Sequence, residues 1–178
     1  MNQSLTPGVG QAPASFDDFM AQALVMEHEA AQRYTEFAEM METHNNPEVA
    51  QWFRKMAVIE GKHASQIMAE MGWKEVPRNV SSPAFEGFDA PEAAPIDEVH
   101  YLMRPWHVLQ LALANEERAE RFFAHLASVA TVDSVRKAAL ELQEEEAEHV
   151  QLVKAWMLKV PQPDSNWAED PDPPRYDE

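Results

Sequence analysis

The chain contains no cysteine. That excludes disulfides, thiolate metal sites and a cysteine nucleophile, and it is compatible with a cytoplasmic location. Glycine is scarce, at 5 of 178 residues, and the 13 prolines fall mostly outside segments of helical periodicity. An all-helical chain with proline-rich connections follows from that distribution. No apolar run approaches the roughly 20 residues that span a bilayer. Residues 1–15 lack the basic and apolar regions of a signal peptide. Basic residues are outnumbered 14 to 31, leaving a formal charge of −17, so nucleic acid and anionic membrane surfaces are poor partners. What is present is an ordinary hydrophobic content of 45% over 178 residues, enough for one domain with a substantial core.

Punctuation along the chain predicts four long helices. Residues 1–14 read as a flexible lead-in. The first helix starts with Ser15 or Asp17 as its cap and runs to about His44. Asn45-Asn46-Pro47 ends it and opens the second, with Asn46 as cap and Pro47 as the first helical residue. Gly72 stops the second helix. Residues 73–104, with Pro77, Pro83, Pro91 and Pro95, form a long crossover in which 97–103 could add a short helix. The third helix runs from about Pro105 to Ala130, and the fourth starts after Thr131 or Asp133 and is ended by Pro161. Residues 161–178 hold six acidic residues and five prolines and read as a disordered tail. Helices of about 25 residues are roughly 38 Å long. Short connections at 45–46 and 131–133 make two antiparallel hairpins. A crossover of this length can travel the whole bundle and bring helix three back parallel to helix two.

One face of each helix carries an apolar stripe in steps of three and four residues. The stripes read Met20, Ala23, Glu27, Ala30, Tyr34, Phe37, Met41; then Val49, Phe53, Met56, Glu60, His63, Ile67; then Leu109, Ala112, Glu116, Ala119, Phe123, Leu126; then Val135, Ala139, Leu142, Glu146, His149, Val153. Six residues interrupt them: Glu27, Glu60, His63, Glu116, Glu146 and His149. Burying one unpaired carboxylate costs several kcal/mol, so four bare ones would endanger a fold of ordinary stability. Two divalent cations would balance four carboxylates. Residues at i and i+3 share a helix face, so each Glu-x-x-His offers one metal an oxygen and a nitrogen. Four carboxylates and two imidazoles suit two iron or manganese ions, with positions left open for dioxygen or peroxide; zinc could occupy the same ligands.

The Glu-x-x-His motif alone is weak: with 22 Glu and 7 His in 178 residues, chance supplies about one such pair. Register makes it specific. Glu27-x-x-Ala30-x-x-x-Tyr34 recurs as Glu116-x-x-Ala119-x-x-x-Phe123, and Glu60-x-x-His63 recurs as Glu146-x-x-His149. All four helices place their polar residue at a similar depth, which predicts one symmetric site built from two like hairpins.

These motifs resemble the ferritin-like superfamily, and the rubrerythrin branch most closely, over roughly residues 16–160. The strongest stretches are EHEAAQRYTEFA at Glu27 to Ala38 and FRKMAVIEGKHA at Phe53 to Ala64. The resemblance implies a ferritin-like four-helix bundle and a two-iron carboxylate centre that reduces peroxide or dioxygen with ferrous iron. It also implies a homo-oligomer, with a dimer favoured. Tyr34 would act at the site by hydrogen-bonding a ligand from another helix, or would fill the core. Typical rubrerythrins add a rubredoxin domain with four cysteines, and this sequence has none, so an external electron donor is expected. They also carry a further Glu three residues after the third-helix ligand, where this chain has Ala119. Two alternatives share the site: a monooxygenase acting on an organic substrate, and a non-enzymatic iron-binding or storage bundle.

Overall fold

The computed structural model describes residues 13–78, 80 and 99–172. Four helices account for most of them: α1 (Phe16–Thr43), α2 (Pro47–Met71), α3 (Pro105–Val129) and α4 (Asp133–Met157). Among the described residues there is no strand. The expected lead-in falls largely at 1–12, and the middle of the expected crossover at 81–98, both outside the described residues.

Local chemistry sets the boundaries. Ser15 accepts the Asp18 amide at 3.1 Å and caps α1. Asn45 closes that helix with φ 55°, a left-handed conformation that asparagine tolerates. Asn46 Oδ1 accepts the Val49 amide at 3.4 Å, with Pro47 as the first helical residue. The Asn46 amide nitrogen donates to the carbonyls of Tyr101 and Met103 at 3.1 and 2.9 Å. One side chain thus starts α2 and pins the end of the crossover. Gly72, at φ 66°, ends α2, and the Trp73 amide reaches back to Met68 O at 3.0 Å.

The helices pair as predicted, α1 along α2 and α3 along α4, with the two hairpins facing one another. Two apolar clusters fill the bundle. One joins Phe19 to Met26 of α1, Ala64 and Ile67 of α2, Ala119 to Ala130, and Val135 to Leu142 of α4. The other joins Tyr34 to Met41, Val49 to Met56, Met103 to Ala112, and Val153. The first therefore gathers the starts of α1 and α4 with the ends of α2 and α3. That is the up-down order of two antiparallel hairpins with α2 and α3 parallel, as the long crossover requires. Each helix passes from one cluster to the other through residues 27, 60–63, 116 and 146–149. The polar layer is a slice between two apolar ones.

Three expectations change. Residues 99–103 form a turn, closed by the Met103 amide on His100 O at 3.0 Å, in place of a short helix. Helix α4 ends at Met157, short of the stop expected at Pro161: the Lys159 amide tightens onto Trp156 O at 2.9 Å, and Pro161 has no N–H to give the Met157 carbonyl. The tail read as disordered is docked through 172: Trp167 lies 3.8 Å from the His107 ring, centroid to centroid, and 5.4 Å from His100. Tyr101 donates to Asp170 Oδ2 at 2.6 Å. An indole in an acidic, proline-rich segment gave it an anchor that composition alone underweighted.

Replacing Asn46 with Ala removes a helix cap and two crossover hydrogen bonds together. It should cost about 1–2 kcal/mol, lowering Tm by roughly 2–6 °C. A thermal melt within about 1 °C of wild type would contradict the double role of Asn46.

Candidate metal centre

The stripes place all six interrupting residues in one layer. Glu27 comes from α1, Glu60 and His63 from α2, Glu116 from α3, and Glu146 and His149 from α4. The glutamates are 0%, 3%, 3% and 1% exposed in that order. Ligand atoms of Glu27, Glu60 and His63 lie within 4.8 Å of one another, as do those of His63, Glu146 and His149. Glu116 joins through His149, whose Nδ1 is 3.3 Å from Glu116 Oε2.

The predicted two-fold repeat is visible in these distances. His63 Nδ1 sits 3.5 Å from Glu27 Oε2 within the first hairpin, and His149 makes the corresponding approach to Glu116 within the second. His149 Nδ1 is also 3.5 Å from Glu146 Oε2, its own i−3 neighbour. The two imidazoles meet across the centre, nearly parallel at 13° with centroids 4.4 Å apart.

Electrostatics show how strained this set is without added positive charge. Burial pushes the Glu60 carboxyl up to about 8, and repulsion from Glu116 adds to it. Glu116 is raised to about 7, first by burial and then by Glu146, against a hydrogen bond from His149. Burial, with repulsion from His149, lowers His63 to about 4. Burial also works against charge on His149, but hydrogen bonds to Glu116 and Glu146 outweigh it and hold the imidazole near 10. The centre therefore offsets part of its carboxylate charge by binding protons on Glu60, Glu116 and His149. Glu116 Oε1 remains buried without a hydrogen-bond partner. Protonated carboxyls, an imidazolium and an unmet acceptor on converging oxygen and nitrogen donors fit divalent cations, which would replace those protons.

Tyr34 is buried beside this layer, 1% exposed. Its phenol oxygen accepts from Asn115 Nδ2 at 2.9 Å, and Asn115 Oδ1 accepts from Arg118. Asn115 is a site residue that the sequence reading passed over. A signal existed, since Ala112, Asn115, Glu116 and Ala119 follow the i, i+3, i+4, i+7 pattern of one buried face. Ala119, where rubrerythrins carry a further Glu, is fully buried in the apolar cluster. His100 and His107 use Nδ1 to accept the amides of Leu102 and Arg104 at 3.1 and 2.9 Å, and so serve local turns.

Four helices in two antiparallel hairpins, with carboxylates and imidazoles at one depth, define a ferritin-like bundle with a carboxylate–histidine centre. The chain belongs to the rubrerythrin family. A family model described as Rubrerythrin matches residues 18–101, which include Glu27, Glu60 and His63. Among solved structures, the chain is similar to an uncharacterized conserved protein from Magnetospirillum magnetotacticum MS-1, at 34% identity and a TM-score of 0.62. That match covers 84% of this chain and 98% of the other, so it extends over the second hairpin as well. No curated protein matches. No helix is long and apolar enough to cross a membrane among the described residues.

The raised values of Glu60, Glu116 and His149 mean that the folded, metal-free protein holds more protons than the unfolded chain above pH ~6.5. Stability from these groups is present at lower pH and is lost as pH rises through the folded values, while His63 is neutral when folded and titrates only in the unfolded chain, at the low end of this range. The Tm of metal-free protein should therefore fall from pH ~6.5 to ~9, and Glu60→Gln should flatten that slope. A flat wild-type profile in differential scanning calorimetry would mean the carboxylates are solvated.

Proposed function

We propose that this protein is a di-iron carboxylate oxidoreductase that reduces peroxide, or dioxygen, with ferrous iron. The observation that carries the reading is the buried layer of four glutamates and two histidines, arranged twice over by the two hairpins. Glu60 and His63 would hold one ion, Glu146 and His149 the other. Glu27 approaches His63 and Glu116 approaches His149, and each would cap or bridge. Bound there, two ferrous ions supply two electrons to the oxidant.

The protein's own part is arrangement. The apolar clusters above and below the layer shield its carboxylates, which act in a low-dielectric setting where their charge counts for more. The helices fix the donors from four directions and leave no flexible loop in the set. Burial holds His63 neutral, as a ligand must be. Tyr34, buried beside Asn115, would serve the site as a hydrogen-bond or proton donor. Electrons must return from an external donor, since the sequence has no cysteine for an iron–sulfur centre of its own.

Anaerobically iron-loaded protein should consume about one peroxide per pair of ferrous ions in a single burst, then stop until a reductant or rubredoxin-like donor is added. Stopped-flow absorbance with and without reductant reads this directly. Ferrous iron consumed far beyond two per chain, with mineral accumulating, would show a storage protein instead. Glu60→Ala and Glu146→Ala should each abolish the burst while the chain remains folded, since each also removes one buried carboxylate. A burst of wild-type size in both variants would end the assignment.

A further inference from the structure

The two hairpins are alike in their ligands and unlike in one pair beside them. The spacing that relates Glu27 to Glu116 also relates Tyr34 to Phe123 and Met26 to Asn115. All four of these neighbours are buried. On one side of the layer, an α1 phenol meets an α3 amide; the equivalent positions on the other side hold a phenyl ring and a thioether. At these equivalent positions the pseudo-symmetric centre is polar on one side and apolar on the other.

The polar side has a defined direction. Arg118 can only donate, so the Asn115 oxygen must face the guanidinium and the amide nitrogen must face Tyr34. The phenol oxygen is then the acceptor in its bond with Asn115. A phenol accepts on one side in the ring plane and donates on the other, so the Tyr34 proton is turned away from Asn115. Tyr34 is 1% exposed, which keeps that donation inside the bundle. Asn115 itself is 3% exposed and directly precedes Glu116 in α3.

We propose that Asn115, held by Arg118, is a positioning residue that fixes the direction in which Tyr34 donates, and that this side of the bundle delivers protons during peroxide reduction. The second half of the statement rests on the function proposed above. Reducing one hydrogen peroxide breaks its O–O bond and yields two waters. The ferrous pair supplies two electrons and is oxidised to the ferric pair. Two protons are needed; Tyr34 delivers one and regains it from solvent, which supplies the other.

The test uses full-length protein carrying Tyr101→Phe and Tyr176→Phe, so that Tyr34 is the sole tyrosine. Ultraviolet resonance Raman of the metal-free protein reads whether the phenol accepts, donates or does both. It should do both in this background, and Asn115→Leu or Arg118→Met should weaken the accepting signature. After iron loading, Asn115→Leu should retain two irons per chain and slow the single-turnover reaction with peroxide about tenfold. Tyr34→Phe should slow it at least as much, and the double variant should be no slower than Tyr34→Phe alone. Equal slowing by Asn115→Leu with and without the Tyr34 hydroxyl would overturn the inference, placing Asn115's effect on Glu116 instead. An unchanged phenol spectrum would overturn it in the metal-free protein, whatever becomes of iron binding in the variant. A wild type that binds two irons without reacting with peroxide would refute proton delivery and the proposed function. The Raman shift would still decide whether Asn115 orients Tyr34.

Discussion

Everything in this molecule turns on four carboxylates buried at mid-depth in an apolar bundle. An ionised carboxylate in that setting costs several kcal/mol unless something positive answers it. The protein's own answer is partial. His149 is held as an imidazolium by Glu116 and Glu146, and Glu60 and Glu116 keep protons well above the normal carboxylate range. His63 cannot help, because burial and its stacked partner hold it neutral. Protons and divalent cations compete for the same oxygens, so cation binding would displace the protons held on Glu60 and Glu116.

The fold exists to hold that layer in place. Two apolar clusters sandwich it, and each helix contributes its polar residue at the crossing point between them. Antiparallel hairpins put Glu27 beside His63 and Glu116 beside His149 by the same local geometry. The crossover must then return the chain along the bundle, and Asn46 secures its far end against the turn between α1 and α2. The family model spans the first hairpin, and the match to the 34% identical solved structure, covering 84% of this chain, takes in the second.

Much of this was legible in the sequence because helical periodicity converts spacing into depth. A glutamate at a buried stripe position has only a few physical excuses, and six such residues in register have essentially one. Caps at Ser15, Asn46 and Gly72 were readable for the same local reason. The rest depended on contacts that spacing cannot encode. No spacing tied Asn115 to Tyr34, 81 positions away; the fold sets the two together. Trp167 was lost in an acidic, proline-rich tail, and only the fold shows His100 and His107 waiting for it. The early end of α4 reflects a proline with no N–H for the carbonyl one turn before it, an effect that reaches back further than the stripe suggested.

The central claim is that the buried layer is a site for two metal ions. Crystals of anaerobically iron-loaded protein, measured at the iron absorption edge, test it without reference to any activity. Two anomalous peaks per chain are expected between α1, α2, α3 and α4: one at Glu60 and His63, the other at Glu146 and His149, with Glu27 and Glu116 in contact. Fully loaded protein showing no peak in the layer, or iron bound only at the protein surface, would contradict it.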